Sequence, residues 1–129
     1  MRNFLENKGA LVTKGYFPSE PERRLVDTFE EHGVSGPDPN FPRISLTQTF
    51  KGKWNTEVVE LLTTSFITAV ENGTYQPVEI TWSQMTRDNV RKRCHTKLYR
   101  TQYLCRKRPQ VESDKVNRMY QRRQEVCLV

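Results

Sequence analysis

The sequence predicts a small, mainly α-helical domain of about four helices, to which the pattern adds at most a short two-stranded β-ribbon. The length of 129 residues is close to the commonest size of a single domain. Apolar residues recur with a helical period over residues 55–71 and again over residues 89–107. Strand-like alternation is confined to two short segments, so a large sheet is not expected.

The composition predicts a modest core. Hydrophobic residues make up 35% of the chain and charged residues 28%, with a mean hydropathy of −0.79. No apolar run approaches ~20 residues, and polar residues interrupt residues 1–12, so we expect neither a membrane span nor a signal peptide. The three cysteines do not form a disulfide framework. We therefore expect an intracellular protein, nuclear if it is eukaryotic.

The first half of the chain contains an arm, a helix and a strand-like segment. Residues 1–18 show no clear period, and we interpret them as an N-terminal arm outside a helical core of residues 19–108. A helix is expected to begin at Ser19 or Glu20 and to end at Gly33. The residues on its core-facing side are Leu25, Thr28, Phe29 and His32.

Two segments alternate as strands do. Ile44–Phe50 places apolar residues at alternate positions, and residues 78–82 do the same. Either the two segments pair as a ribbon or both are extended loops, and the sequence leaves both interpretations open.

The segment Asn55–Glu71 predicts the central helix of the fold. Asn55 is a good N-cap residue, and Asn72-Gly73 is a typical helix end. Its apolar residues cover about half of the helix circumference, so it must pack on two sides. They are Val58, Val59, Leu61, Leu62, Phe66, Ala69 and Val70.

A second long helix is predicted over residues 89–107, and it is strongly basic. We expect regular helix to begin after Arg87, because Arg87 maps to the apolar side. An arc of about 120° would dock on the core, and it consists of Val90, Cys94, Leu98, Thr101, Leu104 and Cys105. Lys97 falls beside this arc. The remaining surface is basic, with Tyr99 and Tyr103 in its middle and His95 beside them.

Charge is distributed unevenly along the chain. Residues 1–84 hold 8 Lys/Arg against 11 Asp/Glu, whereas residues 85–129 hold 13 against 4. A strongly basic half predicts a polyanionic partner, with nucleic acid first. The acidic half is expected to form the core and could also contact a protein partner. Residues 109–129 would add a basic C-terminal helix or tail.

The sequence offers little support for catalysis or for a cofactor. It contains two histidines and no glycine-rich phosphate loop. Four residues are weak candidates for a zinc site, although the paired short spacing of zinc ligands is missing: Cys94, His95, Cys105 and Cys127. We expect a non-enzymatic protein without metal or cofactor.

Trp54 stands just before the central helix, Trp82 before a second, shorter element, and Val90-Arg91-Lys92-Arg93 leads into the basic helix. In these features Trp54–Arg108, less than half of the chain, resembles the Myb/SANT-like class of helical DNA-binding domains. The resemblance implies that the basic helix lies in the major groove of DNA. The chain departs from the class between Trp82 and Val90, where there is too little room for a full middle helix.

The sequence thus predicts a helical domain that binds nucleic acid, with double-stranded DNA as the first ligand and a role in transcription. Arg and Lys would neutralise phosphates, and Tyr would contact phosphate or stack on bases. The residues assigned to this contact are Arg91, Lys92, Arg93, His95, Tyr99, Arg100, Tyr103, Arg106, Lys107, Arg118 and Arg122. Two alternatives remain: RNA as the ligand, or a protein adaptor whose basic face docks an acidic partner or a second copy.

Overall fold

The computed structural model describes residues 1–13, 16–76 and 85–107 of the chain. Four helices form the fold, which confirms the mainly helical class: α1 Arg2–Asn7, α2 Arg23–His32, α3 Lys53–Glu71 and α4 Arg87–Arg106. Within the described ranges there is no β-sheet, and the one β-bridge joins Thr13 and Tyr16. The predicted C-terminal helix and the strand-like segment at residues 78–82 lie outside the described residues.

Helix α3 is the centre of the fold, as its broad apolar surface predicts. Both α4 and α2 pack on it, and α1 reaches it through an edge-to-face contact between Phe4 and Phe66, whose ring centroids are 5.4 Å apart. Its fully buried residues include Val58, Leu62 and Phe66. The helix ends at Glu71, next to the expected Asn72-Gly73.

The N-terminal segment belongs to the core, so its interpretation as an outlying arm is wrong. Helix α1 was not predicted, because six residues are too few to show a helical period. Burial nevertheless follows helical spacing at the start of the chain. The buried apolar residues of this segment are Met1, Phe4, Leu5, Ala10 and Leu11.

Helix α2 ends at the predicted residue but begins later in the chain than predicted. The side of the helix that faces the core also differs from the predicted one. Gly33 adopts φ +71°, the left-handed conformation that stops a helix. Val26 is buried and Phe29 packs edge-to-face on Trp54, whereas Leu25 and His32 are exposed. The predicted face was wrong at those two positions because only the side that carries Val26 and Phe29 meets α3.

The segment Ile44–Phe50 is a loop and not a strand. Ile44 and Phe50 are buried as the alternation suggests, but side chains satisfy the backbone groups that a neighbouring strand would bond. The buried side-chain amide of Asn55 donates to the carbonyl oxygens of Ser45 and Thr49 and accepts from the Ser45 N–H at 2.7 Å. The expected N-cap role of Asn55 is therefore wrong, since this residue lies inside α3 and holds the loop.

A carboxylate from α2 takes the capping role at α3. Gly52 is the N-cap residue and has no side chain to offer. The Glu30 carboxylate accepts hydrogen bonds from the backbone N–H groups of Trp54, at 2.8 Å, and Lys53. A negative charge at a helix N-terminus also interacts favourably with the helix dipole. This contact fixes α2 against the start of α3.

Replacement of Asn55 should destabilise the fold strongly. We expect Asn55→Ala to lower the free energy of unfolding by about 2–4 kcal/mol, because it leaves the buried Ser45 N–H without a partner. Urea denaturation followed by circular dichroism measures the change. Asn72→Ala, at an exposed position, is the control and should change stability by less than about 0.5 kcal/mol. Equal stability of the two variants would contradict the role assigned to Asn55.

Candidate nucleic-acid interface

Helix α4 carries the candidate interface, and its buried side agrees with the predicted arc. Val90, Cys94, Leu98 and Thr101 are buried against the core, and Leu104 and Cys105 are half-buried. The helix begins at Arg87, not after it. Its N-cap is Thr86, whose hydroxyl accepts from the backbone N–H of residue 89.

Arg87 and Arg91 are held by an acidic residue of α3. The Glu60 carboxylate accepts a hydrogen bond from Arg87 at 2.6 Å and a second from Arg91, which also bonds Asp88 at 3.1 Å. Burial tends to raise the pKa of Glu60, but the hydrogen bonds and charges of the two arginines outweigh it and lower the pKa below its ordinary value. Arg91, assigned from the sequence to nucleic-acid contact, thus forms part of the α3–α4 packing.

Arg106 also forms its hydrogen bonds within the fold. Its guanidinium group donates to the carbonyl oxygens of Leu46 and Gln48, both at 2.8 Å. The neighbouring Gln102 is buried and donates to the carbonyl oxygens of Ser45 and Gln48. Side chains from the last two turns of α4 therefore bond the carbonyl oxygens of the 45–48 loop that a neighbouring β-strand would otherwise bond.

The cations of α4 that pair with no carboxylate and bond no loop carbonyl oxygen lie on one side of the helix. We call them the cationic flank: Arg93, Lys97 and Arg100. Their spacing of four and three residues places them side by side along the helix. Among the described residues none of the three forms an ion pair. Lys97 lines two surface depressions, one shared with Arg93 and the other with Arg100 and Arg2.

Arg2 extends the cationic flank from the opposite end of the chain. It lines, with Lys97 and Arg100, an open depression of about 200 Å³ whose other walls include Leu11 and Leu104. Arg2 bonds Glu6 of its own helix at 3.0 Å through Nε. Three cationic residues thus line one depression, which suits an anionic group.

The aromatic residues form a separate side of α4, which we call the aromatic flank: His95, Tyr99 and Tyr103. Helix geometry places it about 130° around the axis from the cationic flank. The rings of His95 and Tyr99 are parallel within 4°, and both stand edge-to-face against Phe50. Tyr99 and Tyr103 are 56% and 55% exposed. The sequence placed these tyrosines in the middle of the basic face. In the structure Arg106 and Lys107 do lie beside them, whereas the cationic flank lies on another side of the helix.

Two lysines lie beside the aromatic flank. Lys92 is exposed, with Nζ 3.6 Å from the carboxylate of Asp88. Lys107 follows the last turn, with Nζ 5.8 Å from the ring centroid of Tyr103. The last two assigned residues, Arg118 and Arg122, lie outside the described residues.

Sequence reasoning missed three contributors to this surface: Arg2, Phe50 and Lys97. The spacing of Lys97 from Arg93 and Arg100 indicates a shared surface, but its position beside the apolar arc indicated a packing role instead. Nothing in the sequence indicated Arg2, because its neighbours at the depression are about a hundred residues away.

The candidate metal ligands do not converge within the described part of the chain. No group of three or more His, Cys, Asp or Glu residues there is placed to hold a metal ion, and Cys127 lies outside the described ranges. Burial raises the pKa of the Cys94 thiol to about 12, so it stays protonated at neutral pH. A protonated thiol is a poor metal ligand.

Comparisons with protein-family models, with curated proteins and with solved structures found no match to the chain. The resemblance to the Myb/SANT-like class therefore stays a prediction. None of the described helices is long and apolar enough to cross a membrane.

The Glu60 ion pair predicts a specific acid sensitivity. Because the two arginines hold the pKa of Glu60 below its ordinary 4.5, the pair stabilises the fold above that pH and is lost as the pH falls through the lowered pKa. We expect Glu60→Gln to be about 0.5–1 kcal/mol less stable than wild type at neutral pH, with the difference shrinking as the pH falls below 4.5.

Denaturation curves at several pH values test this expectation. Glu57→Gln removes one charge from the same helix outside the ion pair and serves as the control. A difference between wild type and Glu60→Gln that stays constant down to acid pH would contradict the assignment.

Proposed function

We propose that this chain is a non-enzymatic domain that binds nucleic acid, with the cationic flank and Arg2 as its phosphate contacts. The observation that carries the proposal is the division of the α4 cations into two sets. Arg87, Arg91 and Arg106 are neutralised or bonded within the fold, whereas the cationic flank has no carboxylate partner among the described residues. Unneutralised cations held side by side repel one another, and a polyanion relieves that repulsion.

The spacing of the flank suits a phosphodiester backbone. The seven residue steps from Arg93 to Arg100 span about 10 Å along the helix axis. One strand of DNA carries a phosphate about every 3.4 Å along its axis, so the flank can face about three phosphates. We propose double-stranded DNA as the first ligand. The chain would then be a nuclear protein with a role in transcription.

A second candidate function is protein binding by the acidic half. Three large apolar side chains there are exposed, Leu25 at 42%, Val34 at 54% and Phe41 at 61%. We infer that these side chains would supply the apolar part of such a contact, since exposed apolar patches are typical of protein interfaces. This candidate concerns α2 and the loop after it, and it is compatible with nucleic-acid binding by α4.

The cationic flank should control affinity and salt dependence. We expect Arg93→Gln/Lys97→Gln/Arg100→Gln to bind a short DNA duplex at least about tenfold more weakly than wild type, and the slope of log K against log salt to fall by about 2–3, because three phosphate contacts are lost. Fluorescence anisotropy of the labelled duplex at several salt concentrations measures both quantities.

The control has the same change of charge elsewhere. Arg23→Gln/Arg24→Gln/Lys51→Gln removes three exposed cations outside α4. It should weaken binding much less and leave most of the salt slope. Equal losses in the two triple variants, or no binding by the wild type at low salt, would overturn the proposal. A mass that rises with concentration in the absence of DNA would favour the self-associating adaptor.

A further inference from the structure

The aromatic flank borders a depression that the phosphate contacts do not use. Its volume is about 320 Å³, and its lining includes Phe50, Tyr99, Gln102, Tyr103, Arg106 and Lys107. Tyr99 and Tyr103 stand one helical turn apart on its rim, and both residues are more than half exposed. Phe50 is buried and meets Tyr99 edge-to-face, with ring centroids 5.5 Å apart. The depression is therefore an aromatic recess in an otherwise polar surface.

The walls of this recess are held in place before any ligand binds. The side chains of Gln102 and Arg106 each donate two hydrogen bonds to carbonyl oxygens of the 45–48 loop. Phe50 is fixed between that loop and α4 through His95 and Tyr99. A preformed recess costs little conformational entropy on binding.

We propose that this recess stacks an unpaired nucleobase, so that the preferred ligand is a DNA duplex that adjoins single-stranded nucleotides. The inference rests on the proposed function, because the cationic flank holds the neighbouring backbone. Aromatic side chains beside cationic groups are the recurrent means of binding single-stranded nucleic acid.

The chemistry of the lining favours a nucleotide over an aromatic side chain of a protein. Arg106 and Lys107 border the recess, and none of the described residues that line it is acidic. A nucleobase brings a flat ring for Tyr99 or Tyr103 together with a phosphate for Lys107. The two flanks are separated by roughly 10 Å across the helix, given its diameter with side chains, so one nucleic acid can contact both.

The test compares two DNA ligands of the same duplex sequence, one blunt and one with a short single-stranded overhang that carries 2-aminopurine. We expect the wild type to bind the overhang ligand about tenfold more tightly and to change the 2-aminopurine fluorescence by stacking. Tyr99→Leu/Tyr103→Leu should lose the preference and the fluorescence change. Tyr99→Phe/Tyr103→Phe, which keeps both rings, should retain both.

The outcomes separate this inference from the function on which it rests. Equal affinity for the two ligands, with binding that still depends on the cationic flank, would overturn the base-stacking recess and leave the proposed function standing. Absence of binding to either ligand would overturn both. If the leucine variant weakened binding to the two ligands equally, the tyrosines would contact the duplex itself and the inference would be wrong. Self-association that buries the tyrosines would also overturn it.

Discussion

The buried amide of Asn55 holds together the parts of this fold that have no regular pairing. Residues 43–50 run between α3 and α4 without a neighbouring strand, and buried backbone groups without partners are costly. Asn55 satisfies three of these groups from α3, and Gln102 reaches the same Ser45 carbonyl oxygen from α4 at 2.8 Å. One loop is thus bonded by both long helices, which fixes their relative position.

The same packing determines which cations of α4 can meet a ligand. α4 contains five arginines and two lysines against one aspartate. Glu60 forms ion pairs with Arg87 and Arg91, and the carbonyl oxygens of the loop accept hydrogen bonds from Arg106. What is left unpaired within the described residues is the flank Arg93, Lys97 and Arg100. The fold therefore divides a uniformly basic sequence into cations that stabilise the structure and cations that are available for binding.

Long, periodic elements were predictable from the sequence, and contacts between distant residues were not. The helical period over α3 and the buried arc of α4 come from local spacing, so both were predicted well. Asn55 has the side chain of an N-cap, and only its burial against the 43–50 loop reveals its other role. The approach of Arg2 to α4 and the pairing of Glu60 with Arg91 depend on tertiary packing, which residue spacing does not encode.

The most direct test of the account is to map the bound ligand on the protein by backbone amide chemical shifts in two-dimensional NMR, with the overhang-bearing duplex as titrant. The account predicts saturable changes along residues 93–103 and near Arg2 and Phe50, and little change in α2. The assigned cations and tyrosines lie on these elements, whereas the described residues place α2 against the start of α3. Changes concentrated on α2, or none that saturate, would contradict the central claim that α4 is the nucleic-acid-binding surface.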